Sequence, residues 1–255
     1  MPQPAGFTLP LSPPRRFLGD LLHFARQIPS VPVQRRLNVR RVVEARGRAV
    51  PRPSWCAVFT KAYALVARAW PPLRRSYLSF PTPHLYEHPT SVASVAVERP
   101  FGDESAVFFA HLADVDARPL AEIDARIHHH KTAPLESVGA FRRALLVARL
   151  PLPLRRLLWW TGLNVSGRQK ARLMGTFGVS VYAGLGAASL HPLSVLTTTL
   201  NYGVIEPNGD VDVRLVYDHR VLDGATVARA LADLERVLNL EILSELQGGE
   251  RRESA

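Results

Sequence analysis

One histidine of this 255-residue chain lies where a predicted strand meets a predicted helix, in the segment DHRVLDG at residues 218–224. A neutral imidazole, with an ordinary pKa of about 6.5, can take a proton from a nucleophile as it attacks. Apolar and polar residues alternate over 211–217, which predicts a strand, and apolar spacings of three and four predict a helix from 225 to about 243. His219 is therefore expected on a short connection between rigid elements, where catalytic side chains are often held. On composition alone, a structural role for this histidine stays open.

The motif around His219 resembles a known family. The pattern His-x-x-x-Asp-Gly after an apolar strand is similar to acyltransferases with the chloramphenicol acetyltransferase fold. The longer stretch DHRVLDGA at 218–225 resembles the dihydrolipoyl acyltransferase core of 2-oxoacid dehydrogenase complexes. The resemblance extends over residues 11–240 and rests on three further segments: LSPPRR at 11–16, KAYAL at 61–65 with PPL at 71–73, and GTFGVS at 175–180. Arg74 departs from the family, which often has asparagine there.

This resemblance implies acyl transfer from a thioester, with His219 as the general base and Ser180 as the donor to the oxyanion. A preorganised hydroxyl can supply a few kcal/mol to such a transition state. The family builds its active site between neighbouring subunits of a trimer, so the two residues are expected to come from different copies. For Ser180, a structural hydrogen bond to the backbone is the alternative.

The resemblance also implies a supporting role for Asp223, tied to Arg15 or Arg16 near the N-terminal helix. In this role Asp223 shapes the loop that orients the histidine. Direct proton transfer by Asp223 is the alternative, and a carboxylate is a weak base toward a thiol. Gly224 is expected to permit a tight turn into the last helix.

The order of predicted elements favours an α+β fold, because helices and strands mix without a regular βαβ period. Helices are predicted over 12–26, 54–70, 120–130, 141–160 (interrupted by prolines) and 225–243, an extended segment over 31–43, and strands over 92–97, 106–112, 176–182, 195–205 and 211–217. The resemblance narrows this to a chloramphenicol acetyltransferase-like sandwich, a mixed sheet covered by helices in a trimer. We expect an N-terminal extension over 1–10, a single catalytic domain over 11–243 and a polar tail over 244–255.

Charge is unevenly placed along the chain, whose net charge is +10. Residues 137–205 hold eight basic residues and no acidic one. This positive charge suits the binding of coenzyme A or of an anionic membrane surface. Nucleic acid is not the expected partner, because the sequence has no nucleic-acid-binding motif. The uncharged stretch 173–205 is rich in glycine, serine and threonine, which favours buried strands over a membrane span. The single cysteine, Cys56, excludes an internal disulfide framework and fits a cytoplasmic protein.

The segment 141–172 departs most from the family. Its arginines alternate with leucines and end in Trp159-Trp160. Such a pattern fits an interfacial helix on an anionic membrane, and it fits equally a helix packed on a neighbouring subunit with its arginines reaching solvent. Lining the entrance for an acyl or acceptor group is a third possibility.

Two histidine patterns suggest metal binding and are not expected to provide it. HLYEH at 84–88 matches a zinc-protease pattern that needs a continuous helix, and the nearby prolines oppose one. His128, His129 and His130 are consecutive, so a helix would point them in different directions, and a solvated helix end is the expectation. No metal site is predicted.

Acyl-CoA is expected as a substrate rather than a bound cofactor. Of three lysines, Lys61 lies in a predicted buried helix, and neither Lys131 nor Lys170 has the context of a lipoyl attachment site. With its polar end, the chain is expected to be a free-standing trimer with a small or carrier-bound acceptor. Two alternatives remain open: a catalytically silent trimeric scaffold and a peripheral membrane protein.

Overall fold

A computed structural model describes residues 6–253 of the chain. In that range it has eight strands: β1 Ser30–Asn38, β2 Arg75–Leu78, β3 His84–Glu87, β4 Val92–Phe101, β5 Glu104–Ala113, β6 Phe177–Val179, β7 Thr198–Tyr202 and β8 Asp210–Asp218. The α-helices of the same range are α1 Pro13–Ala25, α2 Arg40–Arg48, α3 Trp55–Ala69, α4 Leu120–Thr132, α5 Gly139–Ala148, α6 Leu152–Asn164, α7 Gly167–Met174, α8 Gly224–Val237 and α9 Leu243–Glu253. A π-helical turn, Leu238–Ile242, joins α8 to α9.

Six of these strands form one mixed sheet in the order β1-β8-β7-β6-β4-β5, and β2 and β3 form a separate antiparallel pair. The short strand β6 is parallel to both of its neighbours, whereas the other pairs in the large sheet are antiparallel. A mixed sheet covered by helices confirms the predicted α+β class. The placement of β6 and β8 is what positions the two predicted catalytic residues, since one follows each strand.

The main core lies between the sheet and the buried helix α3. Ser54 caps this helix by accepting a hydrogen bond from the Ala57 amide at 3.2 Å, as its sequence position suggests. The ring of Phe59 stacks on that of Tyr202 with a centroid distance of 4.1 Å. Full burial of an aromatic or aliphatic side chain contributes about 1.5–3 kcal/mol, so contacts of this kind hold β7 and its neighbours in place.

A second apolar cluster joins α1 to α6. Phe24 and Trp159 stack with a centroid distance of 6.0 Å. Asp20 is only 1% exposed, and its carboxylate pairs with the guanidinium groups of Arg155 at 2.8 Å and Arg156 at 3.4 Å. Because a carboxylate cannot be buried without a partner, these two arginines fix the position of α6 against α1.

Most helices and strands lie where the sequence predicted them. Ser12 caps α1, which opens with two prolines, and the helix predicted over 141–160 is divided at its prolines into α5 and α6. The extended segment predicted over 31–43 is wrong in its second part, because β1 ends at 38 and α2 begins at 40. The polar tail predicted from 244 is wrong at its start. Leu246 on α9 is in the core, and Glu245 pairs with the buried Lys61 of α3. The last two residues of that tail lie outside the described residues.

Within residues 6–253, none of the helices is long and apolar enough to cross a membrane. The uncharged stretch 173–205 contains β6, β7 and a short 3-10 turn at Ala183–Leu185, in agreement with the predicted strands.

Candidate functional site

His219 lies in the loop directly after β8, with its side chain exposed. Its backbone amide donates to the carbonyl oxygen of Pro29 at 3.0 Å, which ties the loop to the segment between α1 and β1. Its ring lies 5.4 Å from that of Tyr217, centroid to centroid. The imidazole is therefore held on a fixed backbone and is open to a molecule approaching from outside the chain.

The residues on either side of His219 form a clamp that the sequence did not indicate. Arg220 donates to both carboxylate oxygens of the buried Asp218, at 2.9 Å through Nε and 2.7 Å through Nη2. The Arg220 guanidinium also lies 4.1 Å from the ring centroid of Tyr77, a cation–π contact. Bidentate pairs of this kind are directional as well as strong, so the clamp restricts the backbone of the residue between them.

A buried lysine supports the same corner. Lys170 donates from Nζ to the carbonyl oxygen of Tyr77 at 3.2 Å. Burial lowers its pKa to about 8, and the nearby Asp218 carboxylate partly offsets that effect. This lysine, at a position that sequence patterns left without a role, therefore helps to hold Tyr77 beneath Arg220.

Asp223 precedes the first residue of α8 and is exposed. Its carbonyl oxygen accepts from the amides of Thr226 and Val227, but its side chain makes no cap hydrogen bond. Gly224 is not one of the glycines with positive φ, so the turn needs no left-handed residue there. A Cβ at Gly224 would lie 3.4 Å from the Tyr217 hydroxyl, an ordinary contact. The predicted conformational need for this glycine is therefore wrong.

The predicted contact of Asp223 with Arg15 or Arg16 is also not formed within the chain. Arg15 pairs with Glu104 at 3.3 Å, and Arg16 donates from Nε to the Leu11 carbonyl at 3.0 Å. The physical reason is topological, because the start of α1 reaches Glu104 on β5, the edge strand opposite β1. The two arginines support the N-terminal helix instead of the histidine loop.

Ser180 directly follows β6 and is half-buried. Its amide donates to the Leu200 carbonyl at 3.1 Å, and its own carbonyl accepts from the side-chain amide of Asn201 at 2.5 Å. Its hydroxyl has no hydrogen-bond partner among residues 6–253, so the alternative of a hydroxyl bound to the backbone does not hold here. Sequence reasoning missed Asn201, whose only signal was a polar residue inside an apolar strand.

Ser180 lines an open cavity of about 940 Å³. Its walls include part of β4, residues 180–185 and residues 202–205, and Lys131 and Cys56 also line it. Burial raises the pKa of the Cys56 thiol, which keeps it protonated and unreactive at neutral pH. The lysine places one positive charge in a cavity large enough for an organic substrate.

His219 and Ser180 are far apart in one chain. In the sheet register, Val179 of β6 pairs with Leu200 of β7, and Asn201 of β7 pairs with Arg214 of β8. Ser180, the residue after Val179, therefore lies at the same height along the sheet as Arg214. His219 is five residues further along β8 and two strands away, which corresponds to roughly 17 Å along the sheet and about 10 Å across it. One chain therefore does not bring the two predicted catalytic side chains together.

The HLYEH pattern at 84–88, which suggested metal binding, is explained by other contacts. His84 and His88 lie in and just after the strand β3, not on a helix. His88 is buried, and a hydrogen bond of 2.9 Å joins its Nε2 atom to the Ser76 hydroxyl. Burial lowers the pKa of His88 to about 4. In the described part of the chain, no cluster of three or more histidine, cysteine or acidic residues could hold a metal ion.

The segment 141–172 forms parts of three helices that pack within the chain. Arg155 and Arg156 face inward to Asp20, and Trp159 is buried, whereas Trp160 is partly exposed beside Phe80. Two of the arginines that favoured a membrane surface are therefore occupied by an internal carboxylate. Several leucines of this segment remain exposed: Leu146, Leu152, Leu154, Leu157 and Leu158.

Comparison with known proteins identifies the fold. No sequence-family profile and no curated protein matches the chain. Among solved structures, the chain is similar to a probable dihydrolipoamide acetyltransferase from Listeria monocytogenes, with 17% identity, a TM-score of 0.63 and coverage of 91% of this chain and 94% of that one. It is also similar to a truncated catalytic core of the 2-oxoacid dehydrogenase multienzyme complex from Thermoplasma acidophilum, with 19% identity, a TM-score of 0.62 and coverage of 92% and 99%.

A third similar structure is the dihydrolipoamide acetyltransferase of Azotobacter vinelandii, with 15% identity, a TM-score of 0.67 and coverage of 95% of this chain and 94% of that one. It was determined together with an enzymatic study of one serine, one histidine and one asparagine in its catalytic mechanism. These likenesses confirm the predicted fold over nearly the whole chain, because each covers more than nine tenths of both proteins. At identities below 20% they establish the fold and leave the chemistry to the residues themselves.

Proposed function

We propose that this chain is an acyltransferase that moves an acyl group from acyl-CoA to a thiol, hydroxyl or amine. The observation that carries this proposal is the combination of an exposed, clamped imidazole after β8 and an unpartnered hydroxyl after β6. Both occur in a fold shared with dihydrolipoamide acetyltransferases. In the Azotobacter protein the studied histidine and asparagine are four positions apart, the same separation as His219 and Asp223.

In the proposed reaction, His219 takes the proton of the acceptor as it attacks the thioester carbon. The carbonyl oxygen becomes an oxyanion, which the Ser180 hydroxyl stabilises by donating a hydrogen bond. The tetrahedral intermediate then expels the CoA thiolate, which receives the proton that His219 holds. The imidazole returns to its neutral form, so no further reactant is needed.

The proposed active site lies between two copies of the chain, because one copy separates its two side chains by about 20 Å. A ring of three copies would place His219 of each beside Ser180 of the next. Asn201 would keep Ser180 in position through its carbonyl, and the clamp of Asp218 and Arg220 would do the same for His219. The phosphates of CoA would be bound by Lys131 in the cavity or by the basic residues of 137–205.

The test is acyl transfer by purified protein, followed by mass spectrometry of the acylated acceptor over a panel of thiols, alcohols and amines with short- and long-chain acyl-CoA. We expect His219→Ala to lower the rate by roughly 10²–10⁴-fold and Ser180→Ala by about 10²–10³-fold, with unchanged folding. His128→Ala, at an exposed histidine of α4, is the matched control and should be silent.

The proposal is wrong if the folded protein binds no CoA and acylates no acceptor in the panel. If CoA binds and yet His219→Ala leaves both turnover and cellular function unchanged, the chain is a scaffold that has kept the fold without the chemistry.

A further inference from the structure

A second cavity, of about 410 Å³, lies away from His219 and Ser180, neither of which lines it. It is bordered by β5, the start of α1 and the helices α5 to α7. Its walls are almost entirely aromatic and aliphatic, and include Phe109, Phe141, Val147, Trp159, Leu163 and Met174. This volume is within the usual range for small-molecule sites. If each non-hydrogen atom takes about 30 Å³, the volume that one water occupies in the liquid, the cavity holds on the order of 14 such atoms.

Four of the lining residues are polar, namely His111, Arg143, Thr161 and Gln169. His111 alternates with the core residues of β5 and therefore points to the opposite face, toward the cavity. Both of its ring nitrogens are buried and have no hydrogen-bond partner among the described residues. Burial, with a smaller contribution from the Arg143 charge, lowers its pKa to about 4, so the ring is neutral at pH 7. A buried imidazole with both nitrogens unpaired is unfavourable unless something binds to it.

A positive charge lies at the same cavity. Arg143 on α5 lines the wall and is exposed to solvent. No ion pair engages Arg143 anywhere in residues 6–253. Its neighbour Arg142 lies on the same helix and does not line the cavity. The rim beside Arg143 is apolar, since Leu146, Leu158 and Leu173 line the cavity and are each more than a third exposed.

We propose that this cavity binds an amphiphile with one apolar chain and a carboxylate head group, the chemical class of a medium-chain fatty acid. The chain would occupy the space between β5 and the helices α5 to α7, where it replaces water at apolar walls. The carboxylate would accept hydrogen bonds from the His111 N–H and from the Arg143 guanidinium, both of which lack partners among residues 6–253. This function is separate from acyl transfer, because it uses none of the proposed catalytic residues.

Calorimetric titration of the full chain with dodecanoate, below the concentration at which it forms micelles, tests the proposal. We expect saturable binding of one dodecanoate per chain. Arg143→Gln and His111→Phe should each weaken it about tenfold or more, and Arg142→Gln should leave it unchanged. Ala144→Phe, which adds a ring to the cavity wall, should abolish binding while circular dichroism and thermal unfolding show a folded protein.

Further ligands distinguish a free carboxylate from other molecules that carry the same alkyl chain. Dodecanol should bind more weakly than dodecanoate, because it lacks the charge that Arg143 recognises. If dodecanoyl-CoA competes with dodecanoate for this cavity, the alkyl chain that binds there belongs to a thioester. That result would contradict the carboxylate proposal. The proposal is also overturned if dodecanoate does not bind, or if Ala144→Phe binds it like the wild type. Loss of the oligomer in Ala144→Phe, without any dodecanoate binding by the wild type, would show instead that a second copy covers the cavity. Since binding is measured without turnover, failure here and failure of the proposed acyl transfer are distinguishable.

Discussion

Two inactive variants should restore each other's activity when they are assembled together. The perturbation is co-expression of His219→Ala with Ser180→Ala, each carrying a different affinity tag. A chain with His219→Ala still provides Ser180, and a chain with Ser180→Ala still provides His219. If each active site takes one residue from each of two neighbouring copies, a mixed assembly contains intact sites although neither variant alone does.

The expected magnitude follows from the position of the two strands. Within one chain His219 and Ser180 are about 20 Å apart. Both must lie within hydrogen-bonding distance, about 3 Å, of atoms of the same reacting centre: His219 of the attacking atom of the acceptor, and Ser180 of the carbonyl oxygen. No rotamer of a histidine or serine covers that difference, so sites form only between copies. In a cyclic trimer every interface joins the same two surfaces, so a ring of two variants contains one intact site, which is about one third of the wild-type number.

The assay is the acyl-transfer rate per trimer after purification on both tags in succession, which removes rings of a single variant. We expect about one third of the wild-type rate. The matched control combines His219→Ala with the double variant His219→Ala/Ser180→Ala, which contains no intact site and should stay inactive. Mixed rings that are as inactive as this control, although correctly assembled, would refute the intersubunit site.

Two further predictions concern stability. Burial lowers the pKa of His88 to about 4, so between about pH 6.5 and pH 4 its imidazole binds a proton in the unfolded chain and not in the folded one. The contribution of His88 alone therefore lowers stability by on the order of 3 kcal/mol as the pH falls through this range. Urea unfolding across this range should show a smaller loss for His88→Gln, and an equal loss would contradict the assignment. Asp218→Asn should cost about 2 kcal/mol by urea unfolding because it breaks a buried ion pair, against less than about 1 kcal/mol for Arg236→Gln at the exposed pair with Asp233.

Local sequence signals were sufficient for the elements that bury one clear face. Serine caps and apolar periodicity placed α1 and α3 to within about two residues. The helix α2 was missed because it has no side-chain cap and only two buried residues, Val42 and Ala45. The pair β2 and β3 was missed because each strand has only four residues, too few for a period of two to stand out.

The candidate site was predictable only where a motif is local. The segment 218–225 led to His219, and GTFGVS led to Ser180, through resemblance to a family. The contact of Asp223 with Arg15 or Arg16 was a long-range prediction. It is not formed within one chain, because sequence does not reveal at which edge of the sheet α1 begins. His111 gave no signal at all, since a histidine in an alternating strand is ordinary until the structure shows what faces it.

The exposed edge of β1 has a consequence for solubility. An unpaired strand edge is a template on which other chains can add, and this edge belongs to the strand that binds β8 next to the histidine loop. Pro32 offers no amide donor, and the exposed Arg35 and Arg36 add charge in the same strand. Both features oppose the growth of aggregates by strand addition. Replacing Pro32 and both arginines with threonine or valine would remove these features together with the ion pairs to Glu235, Glu206 and Asp210, and we expect it to convert this edge into a nucleus for fibrils.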